Sequence, residues 1–260
     1  MDVTSRLIAA DRTGTAALLT REPCVLAGLE VAEAVFREVD GRLKWKALAK
    51  DGDRLRAGQA VAEITGSARG ILSGERCALN FLQRLSGVAT RTAEFVRAVE
   101  GTGAKILDTR KTTPGLRALE KHAVRCGGGV NHRMGLYDAV LLKENHLAFV
   151  PEKELAALVD RARQENPDLP VIVEADRVSL AKQLLRLKPD RILLDNLQPE
   201  QVREVVEERS RAGIPIPLET SGGVTLERAK ALAQAGADYI SVGALTHSAR
   251  AIDFALDWKD

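Results

Sequence analysis

The chain has 260 residues, 45% hydrophobic, 28% charged and only 3% aromatic, with a formal net charge of +2. That length accommodates one large α/β domain or a small domain joined to a barrel, and the near-balanced charge excludes a broad nucleic-acid surface, so any functional positive charge must be local. Cys24, Cys77 and Cys126 lack C-x-x-C spacing, which argues against a disulfide framework or a thiolate zinc site; with no signal-like N-terminus and no run of the roughly 18 apolar residues a membrane span needs, a cytoplasmic protein is expected.

Residues 25 to 72 carry short strand-like stretches with glycine turns, as in LKWKALAKDGDRLRAGQAVAEITG, and predict a small sheet domain. Part of it resembles the sheet of lipoyl and biotinyl carriers, but no lysine stands at a hairpin tip, so the stretch reads as scaffold. SGERCALNFLQRLSGVATRTAEFVRAVE follows as a long helix, with Leu79, Leu82 and Leu85 on one stripe beside Phe81. A domain boundary is expected near residue 90.

From Ala104 onward, apolar runs alternate with helical patterns: KILDTR, DAVLLK, PVIVEA, RILLD, PIPLETSG and DYISVG are separated by stretches such as SLAKQLLRL and LERAKALAQAGA. Such alternation signals βα units and a parallel sheet covered on both faces. Six units suggest an incomplete barrel, although periodicity alone fits an open doubly wound sheet as well. The polar residues favour the barrel. Arg110 and Lys111 end the first run, Lys143 the second, Glu174 the third, Asp195 the fourth, Ser221, Gly222 and Gly223 the fifth and Gly243 the sixth; in a barrel such ends converge on one face.

Each motif has a plainer reading. In TRKTTPG, Thr113 and Pro114 read as the N-cap and first residue of a helix, leaving Arg110 and Lys111 as either solvated strand-end cations or anion ligands. CGGGVNHR supplies three glycines for a sharp turn or a close approach, ahead of His132 and Arg133; no H-x-x-x-H pairing supports a metal role for His132. Lys143 either snorkels from its strand or faces a ligand. Glu174 and Asp195 are either salt-bridge partners or donors to Mg²⁺ on a phosphate-bearing substrate. ETSGGV and SVGAL are strand-to-helix turns of the kind whose backbone N–H groups bind phosphate.

Together ERCALNFLQRLSGVAT, ILDTRKTTPGLRALEKHAV, GGGVNHRMGLYDAVLLKENH, ILLDN, ETSGGV and ISVGAL resemble the quinolinate phosphoribosyltransferase family, the carboxylating nicotinate-nucleotide pyrophosphorylases, across roughly residues 25 to 250. The resemblance implies an N-terminal α/β sandwich domain over residues 1–90 and an open, incomplete parallel α/β barrel over 91–245, with 246–260 packing back on the sandwich. The implied reaction joins quinolinate to phosphoribosyl pyrophosphate, releasing pyrophosphate and CO₂ and forming nicotinate mononucleotide for NAD synthesis. It implies Mg²⁺ as cofactor and a homodimer with shared sites, or a higher oligomer, with neither nucleic acid nor membrane as partner. By the family pattern Arg110, His132, Arg133 and Lys143 meet the dicarboxylate, joined by Arg76 from a neighbouring subunit. Lys111 and Lys143 face phosphoribosyl pyrophosphate, Glu174 and Asp195 the ribose hydroxyls and the metal, and Ser221, Gly222, Gly223 and Gly243 the 5′-phosphate. The N-terminal DRTGTAALLT follows the pattern only loosely. A molybdenum-associated paralogue is disfavoured by the retention of NHR and Lys143, and a catalytically silent anion-binding regulator by the intact Glu174 and Asp195.

Overall fold

In a computed structural model that describes residues 2–259, the chain divides into two units, Met1–Ala93 with Ala118–Gly128 and Ser248–Asp260, and Glu94–Arg117 with Gly129–His247. In chain order the elements are β1 (Thr13–Thr20), β2 (Cys24–Val25), α1 (Leu29–Val39), β3 (Lys44–Ala47), β4 (Arg54–Leu55), β5 (Ala60–Ser67) and α2 (Ala68–Ala98), followed by β6 (Lys105–Leu107) and α3 (Arg117–Cys126). Next come β7 (Val140–Leu142), α4 (Glu144–Leu147), α5 (Leu155–Glu165), β8 (Val171–Ala175), α6 (Val178–Leu187), β9 (Arg191–Asp195), α7 (Pro199–Arg211), β10 (Leu218–Ser221), α8 (Leu226–Gln234), β11 (Tyr239–Ser241), α9 (Ala244–His247) and β12 (Phe254–Trp258).

The first unit is an α/β sandwich. Its four-stranded antiparallel sheet runs β12-β1-β5-β3, and β2 and β4 form a separate ribbon. Alternate residues of one face, Ala16 and Leu18 on β1 and Ala62 and Ile64 on β5, are buried with Phe36 of α1 and Ile71, Leu79 and Leu82 of α2. Burying Phe36 alone contributes about 1.5–3 kcal/mol. Two elements depart from the sequence reading. β1 lies ahead of the expected sheet region, and α1 lies inside it, because Leu29, Ala32 and Phe36 repeat at helical rather than strand spacing and all three are buried. The C-terminal strand β12 is tied down by Arg250, whose guanidinium donates to both carboxylate oxygens of Glu22 at 2.8 and 2.5 Å.

The helix expected to start at Thr113 and Pro114 begins later, at Arg117. Thr113–Leu116 instead closes a turn through Leu116 N–H and the Thr113 carbonyl at 3.0 Å, because Gly115 adopts a φ of 78° that no helix accommodates.

The second unit is an open parallel α/β barrel. Its six strands are ordered β6-β11-β10-β9-β8-β7, every pairing parallel. Read as a circle, that order is the order of the chain, with the ring broken between β6 and β7; a doubly wound sheet would instead reverse direction from its first strand. The strands are buried on both faces where helices cover them, with Val171, Val173, Ile192, Leu194, Leu218 and Ile240 wholly excluded from solvent.

Candidate active site

Because successive side chains of a strand point to opposite faces, residues two apart share one. Leu141, Leu193, Glu219 and Ser241 line a cavity of about 910 Å³ within the second unit, and so do the residues two further along each strand: Lys143, Asp195, Ser221 and Gly243. The segment after β6 adds Thr109, Arg110 and Lys111, and the loop before β7 adds His132 and Arg133. Gly222, Gly223 and Thr225 close the remaining wall. Ten of the residues singled out in the sequence therefore meet at one barrel mouth. Two do not line it. Glu174 borders an adjoining cavity of about 220 Å³, and Arg76 is exposed on α2 of the other unit.

Positive charge predominates in the large cavity, with Arg110, Lys111, Arg133 and Lys143 facing the carboxylates of Asp195 and Glu219. Burial, and then the neighbouring Arg110, push the pKa of the Arg133 guanidinium down, while Asp138 offsets part of this. Arg110 carries a buried Nε without a hydrogen-bond acceptor. An unpaired buried donor of a charged group costs free energy, and two arginines that repel one another add to it. An anionic guest would relieve both.

Rigid local structure holds these cations. Asp108, wholly buried at the end of β6, accepts from Asn131 Nδ2 at 2.6 Å and from the His132 backbone N–H at 2.8 Å. The His132 ring is held at both nitrogens: Nδ1 accepts from the Arg133 N–H at 2.7 Å, and Nε2 lies 3.3 Å from Glu219 Oε1. Glu219 also accepts from Ser241 Oγ at 2.6 Å and Arg191 at 3.0 Å. Burial alone would raise the Glu219 pKa, but the hydrogen bonds from His132, Ser241 and Arg191 outweigh it and hold the carboxyl below its usual range. Arg117 links the two cationic loops, donating to Thr112 Oγ1 at 3.0 Å and to the Met134 carbonyl at 3.1 Å.

The carboxylates differ in their engagement. Glu174 pairs with Lys143 Nζ at 3.4 Å and accepts the Glu144 N–H at 3.0 Å. Asp195 accepts from Ser221 Oγ at 2.5 Å on one oxygen and from Asn196 Nδ2 at 2.7 Å on the other, which leaves each oxygen further acceptor capacity. Asn196, in the left-handed region at φ 57°, crowds Gly222, where an added Cβ would stand 1.9 Å from its Oδ1. Only glycine fits there. Thr225 caps α8 by accepting from Arg228 N–H at 3.2 Å, and Thr246 Oγ1 donates to the Lys111 carbonyl at 2.8 Å, joining the last turn of the barrel to the first.

The sequence reading gives no role to Glu219, Asp108, Asn131 or Asn196, although each lies within one of its motifs. The one available signal for Glu219 was a carboxylate set inside the apolar run PIPLETSG, two residues before Ser221.

Two family models cover nearly the whole chain, the quinolinate phosphoribosyl transferase N-terminal domain over residues 2–86 and its C-terminal domain over 88–257. The chain is 45% identical to the nicotinate-nucleotide pyrophosphorylase [carboxylating] of Mycobacterium leprae, covering 99% of this chain and 91% of that protein. It is 40% identical to the probable enzyme of the same name from Bacillus subtilis, with coverage of 98% and 87%. Among solved structures, NadC from Streptococcus pyogenes superposes with a TM-score of 0.92 at 39% identity, covering 100% of this chain and 92% of that one. The nicotinate-nucleotide pyrophosphorylase of Francisella tularensis gives 0.92 at 38% identity, with coverage of 99% and 90%. Sequence, fold and a cation-walled barrel mouth agree, and the chain belongs to the quinolinate phosphoribosyltransferase family.

Proposed function

We propose that the chain carries out the reaction for which its family is named, in the de novo synthesis of NAD. The ring nitrogen of quinolinate attacks the anomeric carbon of phosphoribosyl pyrophosphate as the bond to pyrophosphate breaks. The carboxylate adjacent to that nitrogen then leaves as CO₂, and the electron pair left on carbon takes a proton to give nicotinate mononucleotide. The observation that carries this reading is the Arg110–Arg133 wall, where two like charges and an unpartnered guanidinium nitrogen await a multiply negative guest.

In this reading Arg110, Arg133 and Lys143 hold the two carboxylates of quinolinate and aim its nitrogen at the ribose. His132 stands at the same wall, and its accepted bond from the Arg133 N–H keeps that arginine in place. Lys111 faces the departing pyrophosphate, where charge develops in an oxocarbenium-like transition state. Ser221, Gly222, Gly223 and Gly243 receive the 5′-phosphate, supported by the glycine turn and the capped start of α8 beside them. Attack turns the ring nitrogen cationic, so the carbanion left by CO₂ forms beside a positive charge. Decarboxylation therefore follows glycosylation.

Asp195 and Glu174 suit a divalent cation as hard oxygen donors, since Mg²⁺ ordinarily takes one or two carboxylates together with substrate phosphate oxygens. Bound there, Mg²⁺ would neutralise charge on the leaving pyrophosphate. Asp195 retains acceptor capacity for it, whereas Glu174 must first loosen its pairing with Lys143.

The proposal extends to assembly. Arg76, exposed on α2, serves the site of a neighbouring subunit, so the working form is a homodimer with shared sites or a higher oligomer built from it. Residues 1–90 with 246–260 form the sandwich and 91–245 the catalytic barrel, a division supported by the junction of the two family models between residues 86 and 88. The three free cysteines suit a reducing cytoplasm. The test is a product assay: with Mg²⁺, phosphoribosyl pyrophosphate and quinolinate labelled in the adjacent carboxylate, labelled CO₂ and nicotinate mononucleotide are expected in equal amounts. Turnover of nicotinate without CO₂ release would overturn the reading.

A further inference from the structure

In α3, His122 and Cys126 stand one turn apart, a His-x-x-x-Cys spacing that places both side chains on one helix face. Asp51, from the turn between β3 and β4, reaches the same point. Its Oδ2 lies 2.8 Å from His122 Nε2, and Cys126 Sγ lies 3.4 Å from that nitrogen. The three donor atoms fall within 4.8 Å of one another and are half-buried, the only such convergence of three His, Cys, Asp or Glu side chains among the described residues. All three belong to the first unit, and the proposed transfer reaction makes no use of them.

We infer that Asp51, His122 and Cys126 form a site for a divalent transition-metal ion of the zinc class, with water in the fourth position. The donor set is one oxygen, one nitrogen and one sulfur, the types zinc takes at bond lengths of about 2.0–2.3 Å. Tetrahedral geometry at those lengths separates donors by roughly 3.3–3.6 Å; the 3.4 Å between Cys126 and His122 already fits, and the 2.8 Å between His122 and Asp51 must widen to admit the ion. Charge balances, since the Asp51 carboxylate and a Cys126 thiolate offset the dication while the imidazole stays neutral. The carboxylate is also held in place, accepting the backbone N–H of Gly28 at 2.9 Å and of Leu29 at 3.0 Å, the outer support that metal-ligating carboxylates ordinarily have.

Two groups oppose the ion. Burial and the Asp51 charge push the Cys126 thiol up to about 11, so binding must displace that proton, as thiolate ligation always does. Arg125 approaches His122 Nδ1 at 3.4 Å; with metal on Nε2 that nitrogen carries the ring proton, and the contact is given up.

Co²⁺ alone, added to the full-length protein stripped of metal, tests the site. The expected result is a thiolate-to-cobalt charge-transfer band in the near ultraviolet that saturates at one equivalent and is abolished by Zn²⁺. Cobalt on the barrel carboxylates gives no such band, so the outcome is independent of the proposed catalysis. Cys126→Ser and His122→Gln, neither of which touches the Asp51 contacts at the start of α1, are expected to lose the band or to weaken Co²⁺ at least tenfold, with thermal unfolding followed alongside. No band in the wild-type protein would overturn the inference and leave only a His122–Asp51 hydrogen bond; a band unchanged in Cys126→Ser would assign it to Cys24 or Cys77 and overturn it equally. The wild-type spectrum decides even if a variant does not fold.

Discussion

His132 Nε2 lies 3.3 Å from Oε1 of Glu219, a carboxylate with no exposed surface that also binds Ser241 and Arg191. Arg191 in turn stacks over the Tyr239 ring at 4.2 Å from its centroid. Glu219 thus anchors the wall on which His132 and Arg133 are set. Glu219→Ala leaves Arg191 without its partner and is expected to destabilise the protein by about 3–5 kcal/mol, while Glu219→Gln, which keeps shape and an acceptor, loses less. Both should lower kcat/KM. Urea unfolding with steady-state kinetics checks this, and a Glu219→Ala protein as stable and active as wild type would count against the anchoring role.

The pairing of Glu22 with Arg250 makes stability depend on pH. Hydrogen bonds from Arg250, then from the Asp253 N–H, hold the Glu22 carboxyl at about 2, against an ordinary 4.5. A depressed folded-state pKa contributes stability that is present above pH 4.5 and is lost as pH falls through about 2. The pair is partly solvated, so its contribution is about 1 kcal/mol or less. Glu22→Gln is expected to flatten stability against pH in that acid window and to leave its slope near neutrality unchanged.

Gly222 tests the proposed phosphate turn. At φ 95°, with Asn196 Oδ1 standing 1.9 Å from any added Cβ, Gly222→Ala strains the backbone by about 1–3 kcal/mol and pushes Asn196 from Asp195. A rise of tenfold or more in KM for phosphoribosyl pyrophosphate is expected, with KM for quinolinate changed far less. Equal rises in both would point to general unfolding of the site.

All six barrel strands were legible because each is a short apolar run bounded by turns, and their polar ends were legible because a period of two carries them to one face. Other features were not. Glu219 reads as a flaw in an apolar strand, and its partners Arg191 and Ser241 stand 28 and 22 residues away, joined to it only by the sheet. Helix α1 was hidden within a glycine-punctuated stretch dominated by strand formers. Thr113-Pro114 is a helix-capping signal that Gly115 overrides, leaving a turn at Thr113–Leu116. The His122–Cys126 spacing carries little signal of its own, because its third partner, Asp51, stands 71 residues away and is joined to it only by the fold.

A shared site predicts complementation. Arg76→Ala and Lys143→Ala should each inactivate the enzyme, yet subunits of the two variants, unfolded and refolded together, should recover up to about a quarter of wild-type activity, since half the dimers are hybrid and each hybrid holds one intact site. Absence of any recovery in a mixture shown to exchange subunits would place Arg76 outside the neighbour's site.

Affinity for a dicarboxylate against a monocarboxylate tests the cationic wall most directly. By calorimetric titration, quinolinate should bind the wild-type protein roughly ten- to a hundredfold more tightly than nicotinate, the equivalent of one charge-assisted hydrogen bond of about 1.5–3 kcal/mol, and Arg133→Ala should erase most of that preference without lowering the melting temperature. Equal affinity for the two acids, or a preference untouched by Arg133→Ala, would contradict the account.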